Sequence, residues 1–127
     1  MTDPLRVILA NDHELILEGL RGLLAPYADR IEVVATATGE PDIVQEGLID
    51  SEADIMLLDA FGRVGAGVDA VAKVLAADPP FSVVVFTEAD DLRHLFAALR
   101  AGVQGYLLKS IPTLGLVDCL ERVAKGE

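Results

Sequence analysis

Basic residues are scarce in this chain: ten Lys and Arg stand against twenty-one Asp and Glu, a formal charge of −11 over 127 residues. That surplus repels a phosphate backbone, so the chain by itself is not expected to bind nucleic acid. It also keeps a domain soluble, and alone it does not mark a cation site. Cysteine is rarer still. The single Cys119 cannot form an internal disulfide, which fits a reducing compartment. No apolar run approaches the length that spans a membrane, and Met1-Thr-Asp-Pro-Leu-Arg6 has an acid and a proline where a secretion signal carries basic residues. The expected location is cytoplasmic, with no membrane partner. His13 and His94 are the only histidines, too few to build a shared transition-metal site. His13 is expected at the start of the first helix and His94 on an exposed helix face.

What the chain does have is apolar sequence, 52% of it, enough for one domain with one real core over residues 1–127. Five short runs recur: Val7–Ala10, Ile31–Ala35, Ile55–Leu58, Val83–Phe86 and Gly105–Leu108. Continuous rather than alternating hydrophobicity predicts strands covered on both faces. Helical spacing lies between them, in Ile16, Leu20, Leu23 and Leu24, then Val68, Val71, Val74 and Leu75, then Leu92, Leu95, Phe96 and Leu99. The punctuation agrees. Pro41 suits the first turn of a second helix, Asp78-Pro79-Pro80 ends the third, and Gly102 caps the fourth. Pro112 opens a fifth, with Leu116, Cys119, Leu120 and Val123 as its apolar stripe and Cys119 as a small core residue. Alternation of this kind predicts an α/β fold, a flavodoxin-like (βα)5 doubly wound parallel sheet with strand order 2-1-3-4-5.

The chain is organised around Asp54-Ile-Met-Leu-Leu-Asp59-Ala-Phe-Gly62, a buried-type strand that ends in a carboxylate. Ligands of open α/β sheets bind beyond the carboxyl ends of strands, which makes Asp59 the first candidate for chemistry. In the expected strand order the turn after Ala10 brings Asn11 and Asp12 beside Asp59. Two acids and an amide in one pocket suit a hard divalent cation, Mg²⁺, although Asp12 alone also reads as a helix cap. Thr87 ends the fourth strand and Lys109 the fifth. Carboxylates with Mg²⁺, a hydroxyl and an ammonium together form a site for a phosphoryl group.

Those residues resemble the receiver domain of two-component response regulators, from Arg6-Val-Ile-Leu-Ala-Asn-Asp-His13 to Ala101-Gly-Val-Gln-Gly-Tyr-Leu-Leu-Lys-Ser110. Asp12-His-Glu14 and Ala98-Leu-Arg-Ala-Gly102 resemble in particular the NarL/FixJ (LuxR-type) branch. The resemblance implies that Asp59 accepts a phosphoryl group from a histidine kinase. It implies that Asp12, Asp59 and the backbone carbonyl of Phe61 hold Mg²⁺, with Asn11 contributing weakly or through water. Thr87 and Lys109 would contact the phosphoryl oxygens, and Tyr106 would be the aromatic switch residue. It further implies a homodimer and a DNA-binding helix-turn-helix domain following in a longer parent, with no enzymatic turnover beyond self-catalysed phosphoryl transfer.

Two departures stand out. The family usually has a second acid where this chain has Asn11, which weakens Mg²⁺ binding. The loop after Asp59, which in most receivers reads like Met-Pro-Gly-Met-Asp-Gly, here reads Gly62-Arg-Val-Gly-Ala-Gly67, with three glycines, no proline and a new Arg63. An alternative therefore stays open: an atypical receiver controlling transcription without phosphorylation, through constitutive dimerisation or a small ligand. A small phosphatase using Asp59 as nucleophile is disfavoured, because Asp59-Ala-Phe61 lacks the second acid needed for proton transfer.

Overall fold

The computed structural model describes residues 4–10, 14–37, 52–59, 76, 81–87, 100, 102–108 and 110–126. All five apolar runs are strands: β1 (Leu5–Ala10), β2 (Ile31–Ala37), β3 (Ile55–Asp59), β4 (Ser82–Thr87) and β5 (Gly105–Leu108). They pair in parallel in the order β2-β1-β3-β4-β5, as the alternation predicts. β1, β3 and β4 lie inside the sheet, and their residues alternate between two buried layers. Val7, Leu9, Ile55, Leu57, Val84 and Phe86 pack on one side. Ile8, Ala10, Met56, Leu58, Val83 and Val85 pack on the other. With both faces dry, neither parity can be polar, and this is why the runs read as continuous.

The first of those layers is closed by two helices, α1 (Glu14–Leu24) and α2 (Thr113–Ala124). Leu17, Leu20 and Leu24 of α1 and Leu116, Val117 and Leu120 of α2 supply its side chains. Each fully buried leucine contributes roughly 1.5–3 kcal/mol. The stripe expected for α1 is therefore rotated. Leu20 and Leu24 are in it, but Ile16 and Leu23 are 40% and 55% exposed, and Leu17, at 2%, takes the central position. The i, i+3, i+7 row 17/20/24 points at the sheet, and its neighbours 16 and 23 fall at the margin. In α2 the correction is similar. Val117 is fully buried while Cys119 and Val123 are only half-buried, so Cys119 sits at the edge of the core rather than within it.

α2 starts as Pro112 predicts. Pro112 is its N-cap, with no side-chain cap bond, and its carbonyl accepts the Leu116 N–H at 3.0 Å. Ile111 just before it packs into the same layer as Leu116, an apolar clamp across the first turn that takes the place of a polar cap. Gly115 makes room for the clamp: a Cβ there would lie 3.1 Å from Ile111 Cγ1. α1 ends in a 3-10 turn, Ala25–Tyr27, where Pro26 lacks the N–H that would continue the helix. The second expected helix, after Pro41, lies outside the described residues. Of the third and fourth, Ala76 and Arg100 are helical, and Gly102 has the positive φ, +102°, that suits a helix-ending glycine.

Candidate functional site

The site is built on strand register. Ala10 of β1 lies opposite Leu58 of β3, Asp59 opposite Phe86 of β4, and Thr87 opposite Leu108 of β5. Three neighbouring strands and the fifth therefore end at nearly one level. Asn11 and Asp12 follow Ala10 in the chain, and Lys109 follows Leu108. Asp59 and Thr87 are the last residues of β3 and β4, one register step apart. The sheet thus delivers a carboxylate-bearing and a hydroxyl-bearing residue to the same edge.

Tyr106 lies on β5 opposite Val85, half-buried against the layer that contains Ile8, Met56, Leu58 and Val85. Asn11, Asp12, Phe61 and Lys109 lie outside the described residues, as do His13, Arg63 and His94. No cluster of three or more His, Cys, Asp or Glu side chains forms among the described residues. No described helix is long and apolar enough to cross a membrane.

The two acids flanking the central apolar run separate into different roles. Asp54 stands at the amino end of β3, where its Oδ2 accepts the Arg6 N–H at 2.9 Å and its own N–H donates to the Arg6 carbonyl at 2.8 Å. It ties β3 to β1 at the sheet's amino edge. Asp59, at the opposite edge, is the acid in the position where α/β folds place chemistry.

Other polar contacts were not legible in the sequence. Gln104 Oε1 accepts the Val83 N–H at 2.7 Å, and the Gln104 N–H donates to the Val83 carbonyl at 2.9 Å, so one residue clamps the start of β4. Arg30 donates from Nη2 to Asp118 at 2.7 Å and to Glu121 Oε1, and from Nε to Glu121 Oε2 at 3.3 Å. Those hydrogen bonds to Glu121 and Asp118 keep the guanidinium charged beyond its ordinary range. In return, the Arg30 hydrogen bond holds the Glu121 carboxyl below the usual carboxylate range, against the opposing effect of burial. The only signal in the chain is a basic residue before β2 and two acids i, i+3 on α2, which does not specify a pairing.

An apolar groove of about 480 Å³ opens between α1 and α2. Leu15, Ile16 and Leu23 line one wall, Thr113 and Leu116 the other, and Phe86 its floor. Because Phe86 is the register partner of Asp59, the groove lies directly against the strand that neighbours the candidate site.

Residues 7–121 match the response regulator receiver domain. Over 124 residues the chain is 31% identical to the oxygen regulatory protein NreC of Staphylococcus aureus, covering 97% of this chain and 56% of NreC. The chain thus spans little more than half the length of that relative. Its fold superposes on the signal receiver domain of the response regulator NarL from Mycobacterium tuberculosis with a TM-score of 0.82, at 27% identity over 99% of this chain and 100% of that one. A LuxR-family two-component response regulator from an Aurantimonas species gives a TM-score of 0.82 at 25% identity, over 98% of this chain and 87% of the other.

Proposed function

The chain belongs to the response regulator receiver domain family, in its NarL/LuxR branch, and from that premise we propose that Asp59 accepts a phosphoryl group from a histidine kinase. The observation that carries this reading is the shared end level of the strands, with Asp59 opposite Phe86 and Thr87 opposite Leu108. In the proposed step a carboxylate oxygen of Asp59 attacks the phosphorus of a phosphohistidine. The P–N bond breaks, its electron pair leaves with the imidazole, and an acyl phosphate forms. Thr87 and Lys109 then donate to the phosphoryl oxygens, where fixed donors stabilise the charge of a loose transition state.

Asp12, Asp59 and the Phe61 carbonyl are hard oxygen donors of the kind Mg²⁺ takes, and β1 and β3 are adjacent with Ala10 level with Leu58, so the set fits that ion. Asn11 would contribute weakly or through water. Bound there, Mg²⁺ supplies neutralisation of the charge that gathers on the phosphoryl oxygens. The acyl phosphate then biases two arrangements of the domain, with Tyr106 turning inward as Thr87 moves toward the phosphate. Such a shift requires about 1 to 5 kcal/mol of differential interaction. The output is dimerisation and control of a DNA-binding helix-turn-helix domain in a longer cytoplasmic parent, and the protein acts as a phosphoacceptor without multiple turnover.

Asn11 and the glycine-rich Gly62–Gly67 loop favour a second reading, a receiver that works without phosphorylation through constitutive dimerisation or a small ligand. One experiment separates the two. The chain is incubated with Mg²⁺ and acetyl phosphate and weighed by intact mass spectrometry beside Asp59→Asn. A base-labile adduct of one phosphoryl group, lost in the variant, is the expected result. No adduct, with dimerisation unchanged in Asp59→Asn, would select the second reading.

A further inference from the structure

β3, β4 and β5 bring three charged positions to one corner of the sheet. Ile55 and Leu57 of β3, Val84 and Phe86 of β4, and Leu107 of β5 pack in the same buried layer. Two residues on from Leu57, Phe86 and Leu107 stand Asp59, Glu88 and Lys109. Successive residues of a strand alternate between its faces, so the three positions share the parity of that layer at the sheet's carboxyl edge. Register sets their order. Asp59 is level with Phe86 and Thr87 with Leu108, so the next step sets Glu88 beside Lys109, two residues beyond the level of Asp59. Glu88 and Lys109 themselves lie outside the described residues and take these positions from the strand ends they follow. Asp54, the other acid flanking β3, is held at the opposite edge by the Arg6 N–H and does not reach this corner.

We infer that Glu88 is a positioning residue that pairs with Lys109 before phosphorylation and gives it up to the incoming phosphoryl group, so that it slows the loading of Asp59. The inference rests on the phosphoacceptor reading and adds a restraint built into the same site. Neighbouring strands run about 4.8 Å apart, and at that spacing facing residues of opposite charge attract while like charges repel. A carboxylate set on the strand next to Asp59 is unfavourable unless a cation accompanies it, and Lys109 is the cation that the register supplies. Until the donor arrives, Glu88 competes for the ammonium that is to meet the phosphoryl oxygens, and its own charge opposes an anionic donor. Once transferred, the phosphoryl group carries more negative charge than a carboxylate and takes Lys109 from it.

The test reads Lys109 first, without any phosphodonor. The unaltered chain, Glu88→Gln and Glu88→Asp are labelled with a trace of acetic anhydride, and acetylation of Lys109 is measured by peptide mass against Lys73 and Lys125, the other two lysines. An ammonium held by a carboxylate reacts slowly, because the pair favours its charged form. Glu88→Gln is expected to raise Lys109 labelling by roughly threefold or more, and Glu88→Asp to leave it as in the unaltered chain. Loading is then followed by intact mass over a range of acetyl phosphate concentrations with Mg²⁺. Glu88→Gln should reach half-maximal loading at roughly a third of the donor concentration, and the advantage should shrink in 1 M salt, where screening acts within about 3 Å. Thermal melts confirm that each variant folds. Unchanged Lys109 labelling in Glu88→Gln overturns the pair, and raised labelling with unchanged loading overturns the restraint. Absence of an adduct in every variant overturns the phosphoacceptor reading and the restraint with it, while the labelling still decides the pair.

Discussion

Glu121 lies in the last turn of α2, and its carboxyl is held below its ordinary value of 4.5, first by the Arg30 hydrogen bond. A carboxyl lowered in the folded state stabilises that state above the unfolded value and loses the contribution as pH falls through the folded value. Glu121→Gln should therefore melt at a lower temperature than the unaltered chain at pH 7, and the gap should close below pH 4.5. Thermal unfolding at pH 7 and pH 3 checks this; a gap that widened in acid would refute the pairing. The effect is modest, since both side chains keep about a third of their surface in water. Roles at this scale were only partly legible. Asp59 and Asp54 look alike as flanks of one apolar run, and only the bond from the Arg6 N–H assigns Asp54 to holding strands together. Gln104 carried no signal, because a polar residue before a strand reads as loop until its Oε1 is seen on the Val83 N–H.

Each helix is amphipathic by spacing, yet its buried line depends on what it meets. In α1 five residues, Leu15, Ile16, Leu20, Leu23 and Leu24, form a broad apolar arc together with Leu17, so sequence alone leaves the centre of the arc undefined. The sheet takes the row 17/20/24, and the remainder borders the groove. Leu17→Ala should cost about 2–5 kcal/mol, as expected for a buried leucine, while Leu23→Ala, in the expected stripe but 55% exposed, should stay within about 0.5 kcal/mol. Chemical denaturation of both variants decides between this face and the expected one; equal losses would mean the helix is turned otherwise. In α2 the apolar clamp of Ile111 on Leu116 stands in for the missing polar cap, and Gly115 is the residue small enough to permit it. A clamp of that kind is a contact between side chains, invisible to a reading that looks for Ser, Thr, Asp or Asn at the helix start.

Taken whole, the molecule is a strongly acidic α/β unit whose candidate chemistry lies at one edge of its sheet. With a net charge of −11 it should give no gel shift with duplex DNA at micromolar protein and physiological salt. Retarded DNA with this chain alone would overturn that exclusion and remove the need for a separate DNA-binding domain. The sequence by itself determined the five strands seen among the described residues and their parallel pairing, which follow from local periodicity and from the right-handedness of parallel crossovers, both properties of short stretches of chain. The 2-1-3-4-5 order, and with it the edge to which Asp59 and Thr87 are delivered, was expected as the flavodoxin-like version of that fold, and the strand pairing bears it out. Only the tertiary structure decided which stripe of α1 is buried, that Arg30 reaches partners 88 and 91 residues away on α2, and that a groove opens over Phe86. Those outcomes depend on which of several equally apolar or equally charged side chains come within a few ångströms of each other. That is settled by packing across the sheet, not by the order of residues along it.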